Sequence, residues 1–314
     1  MIINIQDDIL KIQSLGLLDK MLIDKTTKRN IMWATDAYDS LGKPYERNEE
    51  ITSSLITGRN SGVIKTRARK AMEQQSERTR RHAEVFTPLW ICNKMNNHAD
   101  EVWFGTTDVF NKNGIPTERI PFESTKDWQK YVDSKRLEIT CGEAPYLVSR
   151  YDVATGEMIP VSERIGILDR KLRVVNENTD NEAEWLKWTL RAFQATYGYE
   201  FQGDNVLISR VNMFMTFEEY MREHFFRKPT EKEYGKILNV IVWNIWQMDG
   251  LTGTIPYSTV EDDYTQMTIF DMLGNNDVTD SFDVRKRANK QPKCKIFDWR
   301  GKCSSIEFMA MKNG

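Results

Sequence analysis

An α/β fold is the class this sequence predicts, and three observations carry that expectation. Short segments at 136–140, 196–200 and 244–249 have the alternation or apolar character of strands and end in a turn or an acidic residue. Stretches with helical apolar spacing separate them, at 169–176, 182–195 and 204–215, and in a run that opens at Thr230. The chain has 314 residues, 40% apolar and 29% charged, which suits one large α/β domain or two smaller ones with ample core. That composition excludes a collagen-like, low-complexity or wholly disordered chain.

Residues 7–22 place Ile9, Leu10, Ile12, Leu15, Leu18, Met21 and Leu22 at roughly helical spacing, and Gly16 allows either one helix or two short ones. Residues 63–97 read as mostly helical, with a break at Phe86-Thr87-Pro88 where Thr87 can cap a new helix with Pro88 at its first position. The strand at 136–140 ends at Cys141-Gly142, and Thr155-Gly156 marks a hairpin or an excursion within 153–160. Thr230 and Glu233 have the spacing of a capping box. Residues 257–293 are acidic, then basic, without periodicity, and read as a long loop. Two regions are expected: a helical one over 1–82 carrying a basic segment, and an α/β one over 83–314.

The most apolar stretch, 237–243, contains Asn239 and is too short to span a bilayer, so no membrane partner is expected. Met1 to Asn4 run directly into Asp7-Asp8, unlike a signal peptide. Cys92, Cys141, Cys294 and Cys303 form no CxxC pair, which points to free thiols, a reducing cytoplasmic compartment and no zinc site.

Charge is nearly balanced in sum, at −2, but not along the chain. Arg59, Lys65, Arg67, Arg69, Lys70, Arg78, Arg80 and Arg81 face only Glu73 and Glu77, and residues 285–302 are basic apart from Asp298. Basic segments on an acidic body can follow a phosphate backbone; a solvated helix face explains the first equally well.

The middle of the chain has the layout of a nucleotide-type site: a strand, a glycine turn, a helix, and a second strand ending in an acid. A lone glycine makes that pattern weak, and an ordinary packed α/β turn fits it too. The motifs are more specific. Phe86-Thr87-Pro88 resembles the element that precedes the catalytic domain of adenine-N6 DNA methyltransferases, including the methylation parts of type I and type IIG restriction systems. Glu138-Ile139-Thr140-Cys141-Gly142-Glu143-Ala144-Pro145-Tyr146-Leu147 is similar, in register, to the family's Asp-Pro-Ala-Cys-Gly-Ser-Gly-x-Phe-Leu, with Glu143 and Ala144 standing where Ser and Gly are usual. Residues 197–212 resemble its next strand, acid and Arg-x-Asn helix, with Glu200 on the ribose-binding acid and Arg210 and Asn212 on the last motif. Residues 244–252 are similar to a strand ending in Gly-Asp-x-Leu, with Met248 in place of the glycine and Asp249 in place of the acid.

The resemblance covers residues 80–252 and implies a partial Rossmann-like sheet that binds S-adenosyl-L-methionine. It implies Phe86, Thr87 and Pro88 around the cofactor's amino-acid end, Cys141, Gly142, Glu143 and Ala144 beneath it, Glu200 at the ribose and Asp249 at the adenine, with Glu138 also among the cofactor-binding residues. The family's catalytic Asn/Asp-Pro-Pro-Tyr/Phe is missing, since no Pro-Pro pair occurs. No catalytic residue is therefore assigned. Residues 293–300 and 305–308 resemble the stretch that comes shortly before the catalytic strand in longer relatives.

The expectation is the S-adenosylmethionine-binding subunit of a split methyltransferase. A partner polypeptide would carry the catalytic motif and target-recognition region, docking on an open sheet edge and an uncovered apolar face. The basic residues from Arg59 to Arg81 would hold double-stranded DNA. The rivals are a non-catalytic, methyltransferase-like DNA-binding or regulatory protein, and a self-sufficient enzyme using residues 244–247.

Overall fold

The computed structural model describes residues 1–70, 87–257, 293–301 and 303–313. In chain order these form α1 (Ile5–Ser14), α2 (Leu18–Leu22), α3 (Ser53–Ile56), α4 (Leu89–Phe104), β1 (Asn111–Lys112), β2 (Ile115–Pro116), α5 (Thr125–Asp133) and β3 (Arg136–Glu138). There follow α6 (Ile167–Asn178), α7 (Glu182–Gln194), β4 (Thr196–Glu200), α8 (Gly203–Phe225), α9 (Glu231–Asn244), β5 (Ile245–Gln247), β6 (Lys295–Phe297) and β7 (Ser305–Glu307). Among them no helix is long and apolar enough to cross a membrane.

The architecture is mixed α/β around a three-stranded parallel sheet of order β3-β4-β5. Leu137 pairs with Tyr197 and Glu200 with Gln247, so the carboxyl ends of the strands lie side by side. Helices α6 and α7 connect β3 to β4, and α8 and α9 connect β4 to β5; both α8 and α9 pack on the last two strands. Period-2 alternation divides the sheet's residues. Ile245 joins the main core with the helices, while Tyr197, Tyr199, Trp246 and Met248 face a second cluster.

That second face is covered, which corrects the expectation of a bare apolar surface. The antiparallel β6–β7 hairpin and Phe308 lie on it, with Phe308 5.1 Å from the Trp246 ring and 6.0 Å from Tyr199. Trp299 Nε1 donates to Asn244 Oδ1 at 2.8 Å, and the Arg300 guanidinium pairs with Asp133, so the hairpin loop is held at the amino ends of the strands. The outer edge of β3 has no neighbouring strand among the described residues.

The N-terminal segment shares the main core with the sheet: Ile5, Ile9, Ile12, Met21 and Leu22 pack in one cluster with Val211, Phe214 and Ile245. Gly16 resolves the helix question in favour of two, its positive φ of 66° ending α1. Beyond α2 the chain runs mostly through turns, bridges and short 3-10 pieces. Arg210, fully buried, caps this region by donating to the carbonyls of Met21, Ile23 and Ile245. Gln247 donates to Met32 O and accepts from Met32 N, both at 2.9 Å, which ties the same segment to β5. Gly203 is required where the chains cross: a Cβ there would stand 1.9 Å from Met32 O.

The helix expected over 63–97 is the main departure. Residues 63–70 hold only a 3-10 turn at Arg67–Arg69, because the Arg67 N–H donates to Glu143 Oε1 at 2.6 Å rather than to a helical carbonyl. Residues 71–86 lie outside the described residues, as does nearly all of the loop expected over 257–293. Helix α4 starts at Leu89 with Pro88 as its cap residue and no side-chain cap, so Thr87 does not play the expected role. The capping box at Thr230 and Glu233 and the turn at Gly156 form as read.

Candidate functional site

The parallel strands end in two segments that define a cavity of about 890 Å³, within the range of small-molecule sites. After β3 the chain turns sharply at Cys141, Gly142, Glu143 and Ala144. The Cys141 N–H continues the sheet by donating to Tyr199 O at 2.9 Å, and the Ala144 N–H closes the turn onto Cys141 O at 2.7 Å. Gly142 and Ala144 both adopt left-handed backbone, with φ of 55° and 66°. That conformation costs an alanine about 1–2 kcal/mol more than a glycine. Glu143 does not disturb the turn; its carboxylate accepts from the Arg67 N–H and from Tyr151 Oη at 2.7 Å. Asn212, from the Arg-x-Asn motif, donates to Glu143 O and supports the turn from α8.

Glu200, at the end of β4, holds this turn against the next one. Its Oε2 accepts the Gly142 N–H at 2.8 Å, and its Oε1 accepts those of Phe201 and Gln202 at 2.9 and 3.2 Å. Burial pushes its carboxyl above the ordinary value, while the Gly142 and Gln202 amides and the Arg67 charge act in the opposite sense. Glu138 differs: it is half-buried as a residue, but its Oε2 is sealed from solvent and accepts no hydrogen bond among the described residues. Burial pushes its carboxyl well above the ordinary value, the nearby Glu200 adds to the rise, and the Tyr146 and Leu147 amides oppose it.

Six of the residues read from the sequence meet at this cavity: Thr87, Glu138, Cys141, Gly142, Glu143 and Glu200. Ala144 shapes the turn from behind, fully buried in the core, and Pro88 leads into α4 without forming a wall. Phe86 lies outside the described residues. Asp249 stands apart from the cavity; its Oδ1 accepts from the N–H groups of Leu251 and Thr252 in its own turn. Cys141 is a buried thiol whose ionisation is strongly opposed by desolvation and by the charges of Glu138 and Glu200, which disfavours the thiolate a nucleophile needs. Asn244 and Gln247 are buried and hydrogen-bonded to Phe193 O, Thr196 O, Met32 O and Phe201 O, and neither is presented to a substrate.

The basic segment divides. Arg59, Lys65 and Arg69 are exposed, as a phosphate-holding surface requires. Lys70 is buried and pairs with Asp204 at 3.2 Å, an aspartate that also accepts from Tyr38 Oη, so it is not available to DNA. Arg67 belongs to the cavity wall, with a guanidinium nitrogen 3.4 Å from where a Cβ on Gly142 would stand. Arg78, Arg80 and Arg81 lie outside the described residues. Sequence reasoning missed Arg67 as a pocket residue, along with the walls formed by Asn96, Tyr146, Gln202 and Tyr257.

No family model matches the chain, and neither a curated protein nor a solved structure is significantly similar to it. The fold and cavity therefore define its class by themselves: an α/β protein with an acidic pocket at the carboxyl ends of parallel strands.

Proposed function

We propose that this chain is the S-adenosylmethionine-binding subunit of a split adenine-N6 DNA methyltransferase of the restriction–modification kind, with a Rossmann-like sheet completed by a partner chain. The observation that supports it most is the buried Glu138 Oε2, without a hydrogen bond among the described residues, in a cavity that Gly142 and Glu200 also line. An acceptor left without a donor costs roughly 1–3 kcal/mol, and a cationic ligand group would remove that cost. Position in the strand order adds support, because ligands of open α/β sheets bind outside the carboxyl ends of the strands.

The residues fit the cofactor. Glu138 would receive its ammonium. Glu200 keeps acceptor capacity on Oε2 for a ribose hydroxyl after bonding Gly142, since an ionised carboxylate oxygen has two lone-pair sites. Thr87 and Tyr146 would close the wall on the α4 side. Bound S-adenosylmethionine would supply a methyl group activated by its sulfonium. The chain's own part is to bind and orient it and keep water out; the catalytic tetrapeptide and target recognition fall to the partner. Arg59, Lys65 and Arg69 would add DNA affinity without sequence choice.

The test is tritium transfer from S-adenosylmethionine to unmethylated double-stranded DNA, by the chain alone and co-purified with a polypeptide carrying an Asn-Pro-Pro-Tyr motif. Transfer to adenine N6 only with both chains is expected. Transfer by this chain alone, or none with the partner although the two form a stable complex, would overturn the proposal.

A further inference from the structure

We infer that the solvent-facing stripe of α9 and the loop at 24–29 together form a second phosphate-binding surface, which lies along the backbone of double-stranded DNA without sequence choice. None of its cations belongs to the segment from Arg59 to Arg81. The surface follows from charge and geometry alone; the choice of a DNA duplex over an RNA duplex rests on the proposed function.

Helical spacing sets the row. Lys232, Lys236, Asn239 and Trp243 stand three or four residues apart on α9, so they share one face about a turn from each to the next. The first three are exposed and Trp243 is half-buried. The loop brings two more cations to the carboxyl end of the helix. Lys25 Nζ donates to Asn239 Oδ1 at 3.3 Å, and the Nζ atoms of Lys25 and Lys28 lie 5.6 and 5.3 Å from the centre of the Trp243 ring. Lys28 is held there in left-handed backbone, with φ of 65° and its N–H on Asp24 O at 2.9 Å. Thr27 donates to Asp24 Oδ2 through both its N–H and its hydroxyl, and the Lys295 N–H fastens Thr26 Oγ1 at 2.9 Å.

Among the described residues none of Lys25, Lys28, Lys232 and Lys236 forms an ion pair with a carboxylate. Asp24 is buried beside Arg210 and does not reach the surface. Lys295 has Glu307 directly across the hairpin and is not counted in the row. Burial and the charges of Lys28 and Arg210 push the Lys25 ammonium below its ordinary value, a cost that an incoming anion would relieve.

Four cations along one side of a helix, with no acid on the stripe, complement the repeated anion of a duplex backbone. A single strand needs bare rings on which bases stack, and Trp243 already carries the two lysines and packs on Phe297 at 5.4 Å. A membrane surface needs apolar side chains to insert, and neither the stripe nor the loop exposes a large one.

The experiment is fluorescence anisotropy of short labelled DNA duplexes of two unrelated sequences with the full chain, over a salt series. Lys232→Gln and Lys236→Gln together are expected to lower the slope of log affinity against log salt by about 2 on both duplexes, and adding Lys28→Gln by about 1 more. Lys126→Gln, an exposed lysine of α5 away from the row, should change nothing. An unchanged slope in the Lys232/Lys236 variant, or a comparable fall from Lys126→Gln, overturns the surface while leaving the cofactor reading intact. Failure of the wild-type protein to bind DNA overturns both the surface and the DNA contacts of the proposed function. Tighter binding to an RNA duplex or to phosphatidylserine vesicles than to DNA overturns the choice of partner. Should Lys28→Gln melt at lower temperature, the pair on α9 carries the test.

Discussion

Glu200 accepts the Gly142 N–H at 2.8 Å, and this bond joins the carboxyl ends of two neighbouring parallel strands into one wall of the cavity. The same carboxylate takes the Phe201 and Gln202 amides. Glu200→Ala would leave three backbone donors without their acceptor. At roughly 1–3 kcal/mol for each group that stays buried, with partial relief by water, the expected loss of stability is about 3 kcal/mol. Urea denaturation measures it, and a loss below about 1 kcal/mol would show that the turn stands without this bond.

Glu138 predicts a pH-dependent effect. Its carboxyl titrates above the ordinary value of 4.5 in the folded protein, so the folded state binds that proton more tightly than the unfolded one. The cost of holding it ionised is absent below the unfolded value and grows as pH rises toward the folded one. Glu138→Gln is therefore expected to raise the thermal midpoint at pH 7 and to leave it nearly unchanged near pH 4. A variant less stable than wild type at pH 7 would contradict this.

Lys70 and the exposed cations should behave oppositely. Lys70→Met removes the buried Lys70–Asp204 ion pair, which should lower stability measurably, and should not alter the salt dependence of DNA binding. Arg59→Ala, Lys65→Ala and Arg69→Ala should each cost little stability and lower the salt slope by about 1. Electrophoretic binding over a salt series, beside melting curves, distinguishes the two groups. A changed slope with unchanged stability in Lys70→Met would refute the assignment.

Ala144 carries a left-handed φ of 66° in the buried turn. Glycine there relieves about 1–2 kcal/mol of backbone cost but gives up a buried methyl worth about 0.8 kcal/mol. Ala144→Gly should thus be neutral or stabilising by up to about 1 kcal/mol. Ala192→Gly, in the buried face of α7, should lose more than 1 kcal/mol. Equal losses at both positions would mean the turn carries no such strain.

Local patterns made much of the sheet and its turn legible. The alternation of Tyr197 and Tyr199 marked β4, the Thr230–Glu233 spacing marked the start of α9, and Gly142 marked the turn where the cavity lies. What escaped depends on contacts distant in sequence. Arg67 meets Glu143 across 76 residues, a bond no local periodicity can reveal, so its run of cations looked like a helix face. Asp249 sat in motif register, yet its side chain satisfies the amides of its own turn. The covered sheet face was equally hidden, because it needs the 295–307 hairpin to return to β5 and β4, strands from much earlier in the chain.

On the proposed function, the cavity lined by Glu138 and Glu200 binds an S-adenosyl amino acid. Calorimetric titration of the full chain with S-adenosylhomocysteine tests it most directly, with Glu138→Gln alongside. Saturable binding at one ligand per chain, weakened at least tenfold by the substitution, is the predicted result. No binding by the wild-type chain, or equal affinity in the Glu138→Gln variant, would contradict it.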